Sequence, residues 1–162
     1  MINEDPENPS WPSFLIDLDH AVYKERQGAQ EMVGTKAFMA IGALWGDQHC
    51  FMHDIESFFW VLFWIRIHYD GPGKSRSSPL VDEWNVADAK ELARRKGGII
   101  FDKEYFHDTV TSYFTPFYQP LIPWMHQLRE VVLPDGKTRR TDDEGLYTVI
   151  EGICQDAQDA LK

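Results

Sequence analysis

A long apolar run in the middle of the chain limits the folds that this sequence can adopt. Residues 55–65 read IESFFWVLFWI, with Asp54 before the run and Arg66 after it. The run has about half of the ~20 residues that cross a bilayer, so we expect neither a membrane span nor a membrane partner. A helix that is apolar on every side is buried inside a domain. The sequence therefore predicts a central core helix, with roughly 1.5–3 kcal/mol of stabilisation from each large buried side chain.

Residues at both ends of the run predict where this helix begins and ends. Asp54 is a residue type that caps helix N-termini, and its side chain can accept a hydrogen bond from the amide of Ser57. The helix is expected to end near Tyr69, because Asp70-Gly71-Pro72-Gly73 cannot continue it.

The rest of the chain predicts a mainly α fold with one or two short strands. A strand is expected at residues 14–16, which read FLI. An amphipathic helix is expected over residues 82–96, stopped by Gly97-Gly98. Asp102 is a candidate N-cap for another helix, and residues 146–161 carry the clearest helical periodicity in the chain.

Composition bounds the kinds of protein that fit this chain. Its 162 residues, 43% of them apolar, fit one domain over residues 1–162. A net charge of −10 makes nucleic acid an unsuitable partner. Two cysteines, Cys50 and Cys154, are too few for a secreted disulfide framework and indicate a reducing, intracellular compartment, cytoplasmic or nuclear.

The stretch FLIDLDHAV places Asp17 and Asp19 directly after an apolar strand and resembles the signature of haloacid-dehalogenase-type phosphatases. In that family the first Asp attacks phosphorus, the second acts as acid and base, and both hold Mg²⁺. The family also requires a parallel sheet and an acidic pair after a further strand. The later pair here, Asp142-Asp143, lies in a predicted loop. The phosphatase stays as the third alternative.

The order of four motifs is instead similar to that of the fungal-type protein kinase family, over residues 14–100. The matching segments are LIDLDHA at Leu15–Ala21, GTKAFMA at Gly34–Ala40, HDIESFFWVLFWI at His53–Ile65, and Trp84 followed by a helix with Lys90.

This resemblance implies a kinase-like C-lobe and assigns roles to several residues. The complete domain would transfer the γ-phosphate of ATP to a protein Ser or Thr, with Asp17 on Mg²⁺. Gly34 and Thr35 would lie in the substrate-side loop. Asp54 would brace the catalytic loop, and Ser57 would be structural.

Several parts of a complete kinase domain are not found in this sequence: a glycine-rich loop, a strand Lys, and a catalytic loop with its base Asp and Asn. The chain is expected to start at Met1 just past the catalytic loop, without the N-lobe. Alone, it is therefore expected to be inactive and to bind neither ATP nor Mg²⁺ tightly. Gly42 also replaces the Glu that in kinases anchors the substrate-side segment through an ion pair with an Arg.

A non-catalytic protein-binding module is the second interpretation of the same resemblance. A C-lobe remnant would expose apolar surface where the other lobe belongs, and this surface could dock a protein. The expected partner is thus a protein, either a substrate or a missing lobe. A metal function at His49, Cys50 and His53 is less consistent with the sequence, because no fourth ligand is apparent.

Overall fold

The structure is a computed structural model that describes residues 35–139, 143 and 145–161. All of these residues belong to one compact unit, Gly34–Lys162. The strand predicted at residues 14–16, the carboxylates Asp17 and Asp19, and residues Gly34 and Asp142 lie outside the described residues.

The described residues are mainly helical, which confirms the prediction of a mainly α fold. An isolated antiparallel bridge joins Tyr69 to Ser75, and these parts of the chain contain no sheet. The α-helices are α1 (Ile41–Trp45), α2 (Phe51–His68), α3 (Ala89–Phe101), α4 (Lys103–Tyr113), α5 (Ile122–Val132) and α6 (Gly145–Ala160). Short 3₁₀ turns cover Lys36–Phe38, Asp82–Asn85, Gln119–Leu121 and Pro134–Gly136.

Helix α2 is the predicted core helix. Phe59, Trp60 and Phe63 are fully buried along it. The ring of Phe63 stacks on that of Trp84, with centroids 6.0 Å apart, and lies 6.3 Å from the ring of Phe106 on α4. Aromatic packing around α2 therefore joins the later helices to it.

The N-terminal end of α2 differs from the prediction. The helix begins at Phe51, Cys50 occupies the N-cap position without a side-chain hydrogen bond, and Asp54 lies inside the first turn. The predicted cap from Asp54 to Ser57 is therefore wrong. Two causes account for this: burial of Met52, which is 2% exposed, extends the helix towards its N-terminus, and a carboxylate inside the first turn is still favoured by the helix dipole.

The helix predicted over residues 82–96 is divided and extended. Its first part is the 3₁₀ turn Asp82–Asn85, and α3 then starts after Asp88, whose side chain accepts hydrogen bonds from the amides of Lys90 and Glu91. Asp102 caps α4 as predicted, by accepting a hydrogen bond of 2.8 Å from the amide of Tyr105.

Helix α3 continues through Gly97-Gly98, where a stop was predicted, and ends at Phe101. Each glycine costs roughly 1 kcal/mol in a helix interior, but the residues that follow are buried, Ile99 at 4% and Ile100 at 1% exposure. The buried side chain of Arg129 donates from Nε to the carbonyl oxygen of Ile100 at 3.1 Å. Burial and this hydrogen bond stabilise the last turn of α3.

Truncating Phe63 is expected to destabilise the chain by about 3–5 kcal/mol, because Phe→Ala in a core loses contacts and leaves a cavity. The matched control on the same helix is Phe58→Ala, since Phe58 is 43% exposed, and it should cost much less. Urea unfolding of both variants measures the difference. Equal losses of unfolding free energy would contradict the assignment of α2 as the core.

Candidate functional site

The candidate site is centred on residues 35–46, which we call the anchored segment. It consists of the 3₁₀ turn Lys36–Phe38, the short helix α1, and Gly46, which ends α1 with a positive φ of 88°. Thr35 stands exposed at its start, where its carbonyl oxygen accepts a hydrogen bond from the amide of Phe38 at 2.8 Å. The segment contains most of the GTKAFMA motif.

Glu56 of α2 holds the anchored segment from one side. Its Oε1 accepts a hydrogen bond of 2.7 Å from the amide of Ile41 and another of 3.0 Å from Nε1 of Trp60. Ile41 is the first residue of α1, so its amide has no partner within the helix. The N-cap residue Ala40 makes no side-chain hydrogen bond, so the buried carboxylate of Glu56 is the group that accepts from this first amide of α1.

Lys96 of α3 holds the segment at a second point. Its Nζ donates a hydrogen bond of 2.7 Å to the carbonyl oxygen of Met39. The same nitrogen lies 4.7 Å from the ring centroid of Trp60 and 5.1 Å from that of Trp84. These distances are those of cation–π contacts, which strengthen when water is excluded.

Together, Glu56 and Lys96 form what we call the Glu56–Lys96 clamp. They bind the backbone on both sides of Ala40, and all three residues are buried, at 3%, 0% and 0% exposure. Two further hydrogen bonds hold the segment. Nζ of Lys36 donates to the carbonyl oxygen of Ala87 at 3.1 Å, and the amide of Ala37 donates to Oδ1 of Asn85 at 3.4 Å. The segment is thus fixed to α2 and α3 through backbone atoms.

Burial shifts the pKa values of both clamp residues. Desolvation raises the pKa of Glu56. The hydrogen bonds from Ile41 and Trp60 and the charge of Lys96 lower it, but by less. The pKa of Lys96 is lowered to about 7, because desolvation of the ammonium outweighs attraction to Glu56. Each group is pushed towards its neutral form.

Gly42 is required by close packing in the anchored segment. A Cβ atom at this position would lie 2.6 Å from Nε2 of His53 and 3.1 Å from Oδ2 of Asp47. A larger side chain at this position, such as the Glu that the kinase resemblance expects, would therefore require His53 to move. The Glu56–Lys96 clamp holds the same segment through hydrogen bonds to its backbone.

His53 fills the space beside Gly42. The imidazole is 6% exposed, and its Nδ1 has no hydrogen-bond partner in the part of the chain that the structure describes. Desolvation, followed by the neighbouring His49, lowers the pKa of His53. Within the described ranges, no group of three or more His, Cys, Asp and Glu side chains could hold a metal ion.

The structure places three of the residues predicted from the sequence. Thr35 is exposed, and Ser57 is half-buried in α2. The side chain of Asp54 is 66% exposed, and its Oδ1 lies 3.2 Å from Nε2 of His49. Gly34 and Asp17 lie outside the described residues. Thr35 thus lies at the start of the anchored segment and Asp54 in the first turn of α2.

Sequence reasoning missed both clamp residues. Glu56 interrupts an otherwise apolar run, and a carboxylate at a core position needs a buried partner. That signal was available. Lys90, the lysine of the family pattern, is exposed, whereas the lysine that packs on Trp84 is Lys96, six residues further along α3. None of the described helices is long and apolar enough to cross a membrane.

The clamp predicts a pH dependence of stability. The folded-state pKa of Lys96 is about 7, below its ordinary unfolded value, so the unfolded chain binds more protons between these values and stability rises with pH there. From pH 7 to pH 9 the unfolding free energy of the wild type, relative to Lys96→Met, should rise on the order of 1–2 kcal/mol. Urea unfolding across this range measures it.

The control for this prediction is Lys90→Met, which removes an exposed lysine from the same helix. Its unfolding free energy should follow the wild type at every pH. A wild-type minus Lys96→Met difference that stays constant from pH 7 to pH 9 would contradict the lowered pKa of Lys96.

The family model described as fungal protein kinase matches residues 1–66. This match contains three of the four quoted motifs and begins before residue 14, whereas Trp84 and Lys90 lie beyond it. No curated protein and no solved structure matches the chain. Residues 1–66 of the chain are thus similar to the fungal protein kinase family.

Proposed function

We propose that this chain is the protein-substrate side of a fungal-type Ser/Thr protein kinase domain. In the complete domain, the γ-phosphate of ATP would pass to a Ser or Thr hydroxyl of a protein. The family match supports a kinase-related function. The finer statement rests on the anchored segment, which carries the motif that the resemblance assigns to the substrate-side loop.

The observation that carries this proposal is the Glu56–Lys96 clamp. Phosphotransfer depends mainly on positioning, so the surface that receives the substrate hydroxyl must be held rigidly. The clamp holds the backbone at Met39 and Ile41 with two hydrogen bonds of 2.7 Å inside the core. Thr35 lies at the exposed end of the same segment, where a peptide could reach it.

Two carboxylates complete the proposed roles. Asp17 follows an apolar run, and carboxylate oxygens are ligands that Mg²⁺ prefers; in the complete domain it would hold the ion on the ATP phosphates, which neutralises their charge during transfer. Asp54 is exposed on the first turn of α2, so its carboxylate is available to brace the catalytic loop.

On this proposal the chain alone does not transfer phosphate. A single carboxylate leaves most Mg²⁺ ligands to ATP and to other groups, and the catalytic-loop pattern with its base Asp is not found in the sequence. Activity would require the nucleotide lobe and the catalytic loop in addition to this chain. The partner we propose is a protein, either the substrate or one that supplies the missing lobe, and an intracellular location would suit it.

A non-catalytic binding module is the second candidate function, and an exposed groove favours it. A cavity of about 480 Å³ lies beside the anchored segment, lined by Ile41, Trp45 and Ile100 among others. Trp45 is 45% exposed, and the guanidinium carbon of Arg94 lies 5.5 Å from its ring centroid. Exposed aromatic side chains with a neighbouring Arg are typical of protein-binding surfaces.

The experiment combines the purified chain with a protein fragment that carries a glycine-rich loop, strand Lys and catalytic loop from a kinase of the same family. With ATP, Mg²⁺ and a generic Ser/Thr substrate, the mixture should transfer phosphate, and Asp17→Asn should abolish the transfer. The chain alone should transfer none. The matched control is Asp135→Asn, an exposed aspartate in a turn, which should retain the activity of the mixture.

Three outcomes would count against this proposal. Turnover by the chain alone that Asp17→Asn abolishes would overturn the statement that it is inactive by itself. A stable complex with the fragment but no transfer would favour the binding module. Hydrolysis of a generic aryl phosphate by the chain, lost in Asp17→Asn, would establish the phosphatase alternative.

A further inference from the structure

A groove beside the anchored segment combines an apolar lining with charged side chains at its rim. It lies between α1, α3 and residues 136–138 and has a volume of about 480 Å³. Ile41 and Ile100 line it and are buried, whereas Trp45, also in the lining, is 45% exposed. Ligand sites have volumes of roughly 300–1,000 Å³ and mostly apolar linings. We call this feature the α1 groove, and it is large enough to receive a side chain of a bound peptide.

The walls of the α1 groove are fixed before any partner binds. The Glu56–Lys96 clamp holds the start of α1 on one side. On the wall formed by residues 136–138, Gly136 has a φ of 68°, and a Cβ atom there would lie 2.6 Å from the carbonyl oxygen of Ile100. Glycine alone suits both this φ and this close approach. A preformed groove loses less conformational entropy on binding than one that has to be ordered.

Two cationic side chains stand at the rim of the groove. Lys137 lines it, is exposed, and forms no ion pair with any residue that the structure describes. The guanidinium carbon of Arg94 lies 5.5 Å from the ring centroid of Trp45, a cation–π contact that holds this charge beside the exposed indole. Oε2 of Glu91 lies 3.7 Å from Nη1 of Arg94, but the two side chains are 46% and 62% exposed, so this pair is weak. Both cations can therefore attract an anionic group at the rim.

One carboxylate, that of Asp47, also lines the groove. Its Oδ2 lies 3.1 Å from the position that a Cβ atom of Gly42 would take. Two positive charges thus face one negative charge among the described residues of the groove, although the whole chain has a net charge of −10. At 0.15 M salt, exposed charges more than about 8 Å apart are largely screened. Arg94 and Lys137 therefore decide which charge suits this groove.

We propose that the α1 groove binds an acidic peptide segment of a partner protein. One large apolar side chain of the peptide would lie against Trp45, with carboxylates beside Arg94 and Lys137. The apolar side chain would provide affinity, and the complementary charges would provide specificity. This inference rests on the binding module, our second candidate function, and adds the chemistry of its partner. It does not depend on phosphotransfer.

Fluorescence anisotropy of two labelled hexapeptides with the full chain tests this chemistry. Both peptides carry a central Leu-Phe pair, which is flanked by glutamates in one peptide and by lysines in the other. At 0.15 M salt the wild type should bind the Glu-flanked peptide about tenfold more tightly, because like charges at an interface are disfavoured. Trp45→Ala should weaken this binding by about tenfold or more, as truncation of an aromatic hot spot does. Circular dichroism verifies that each variant folds.

Reversal of one rim charge separates the groove from the net charge of the chain. Lys137→Glu leaves Arg94 with two carboxylates, so the preference should reverse and the Lys-flanked peptide should bind more tightly. Lys74→Glu is the matched control. It changes the net charge equally, but Lys74 is an exposed lysine that does not line the groove. This variant should keep the preference of the wild type.

Three results would overturn the proposal. The first is a wild-type preference for the Lys-flanked peptide, or an equal change of preference in Lys74→Glu and Lys137→Glu. The second is the absence of saturable binding of either peptide by the folded wild type. The third is a dimer in gel filtration that Trp45→Ala dissociates, which would assign the groove to a second copy of the chain. Phosphate transfer by the reconstituted mixture is a separate measurement, so the proposed kinase function can stand when this inference fails.

Discussion

A carboxylate and an ammonium group buried in the core determine how the described part of this protein is organised. Glu56 and Lys96 come from different helices, and both bind backbone atoms of a third element rather than each other. Leaving either side chain without its partners would cost about 1–3 kcal/mol or more for the desolvated group. The anchored segment therefore supplies hydrogen-bond partners to both buried side chains, and these side chains in turn hold the segment.

The clamp holds the anchored segment although position 42 carries no acidic side chain. The side chain of His53 occupies the space where an acidic side chain would project from position 42. Hydrogen bonds between its backbone and the side chains of Glu56 and Lys96 hold the segment, and Nζ of Lys96 also lies against the rings of Trp60 and Trp84. Both the core helix and the segment that we assign to substrate positioning thus depend on one buried network.

The sequence predicted the helices whose positions depend only on the burial of apolar side chains. Helix α2 could be expected because only a core hides Phe59, Trp60 and Phe63, and the later helices followed from periodicity. Local signals failed where tertiary contacts outweighed them, as at Gly97-Gly98, where burial of the following turn maintains the helix. Of the site, Thr35 and Asp54 could be named from motifs. Glu56 and Lys96 could not be paired, because their common partner is a backbone segment that only the folded chain brings between them.

Native-state hydrogen exchange of the Ile41 amide tests the central claim most directly. This amide begins α1, so its protection must come from Glu56 and not from the helix itself. The Lys90 amide is the comparison, because it donates its hydrogen bond to an exposed carboxylate, that of Asp88, at the start of α3. The account predicts that Ile41 exchanges as slowly as the core amides of α2, and Lys90 far faster. Equally fast exchange at both amides would contradict the Glu56–Lys96 clamp.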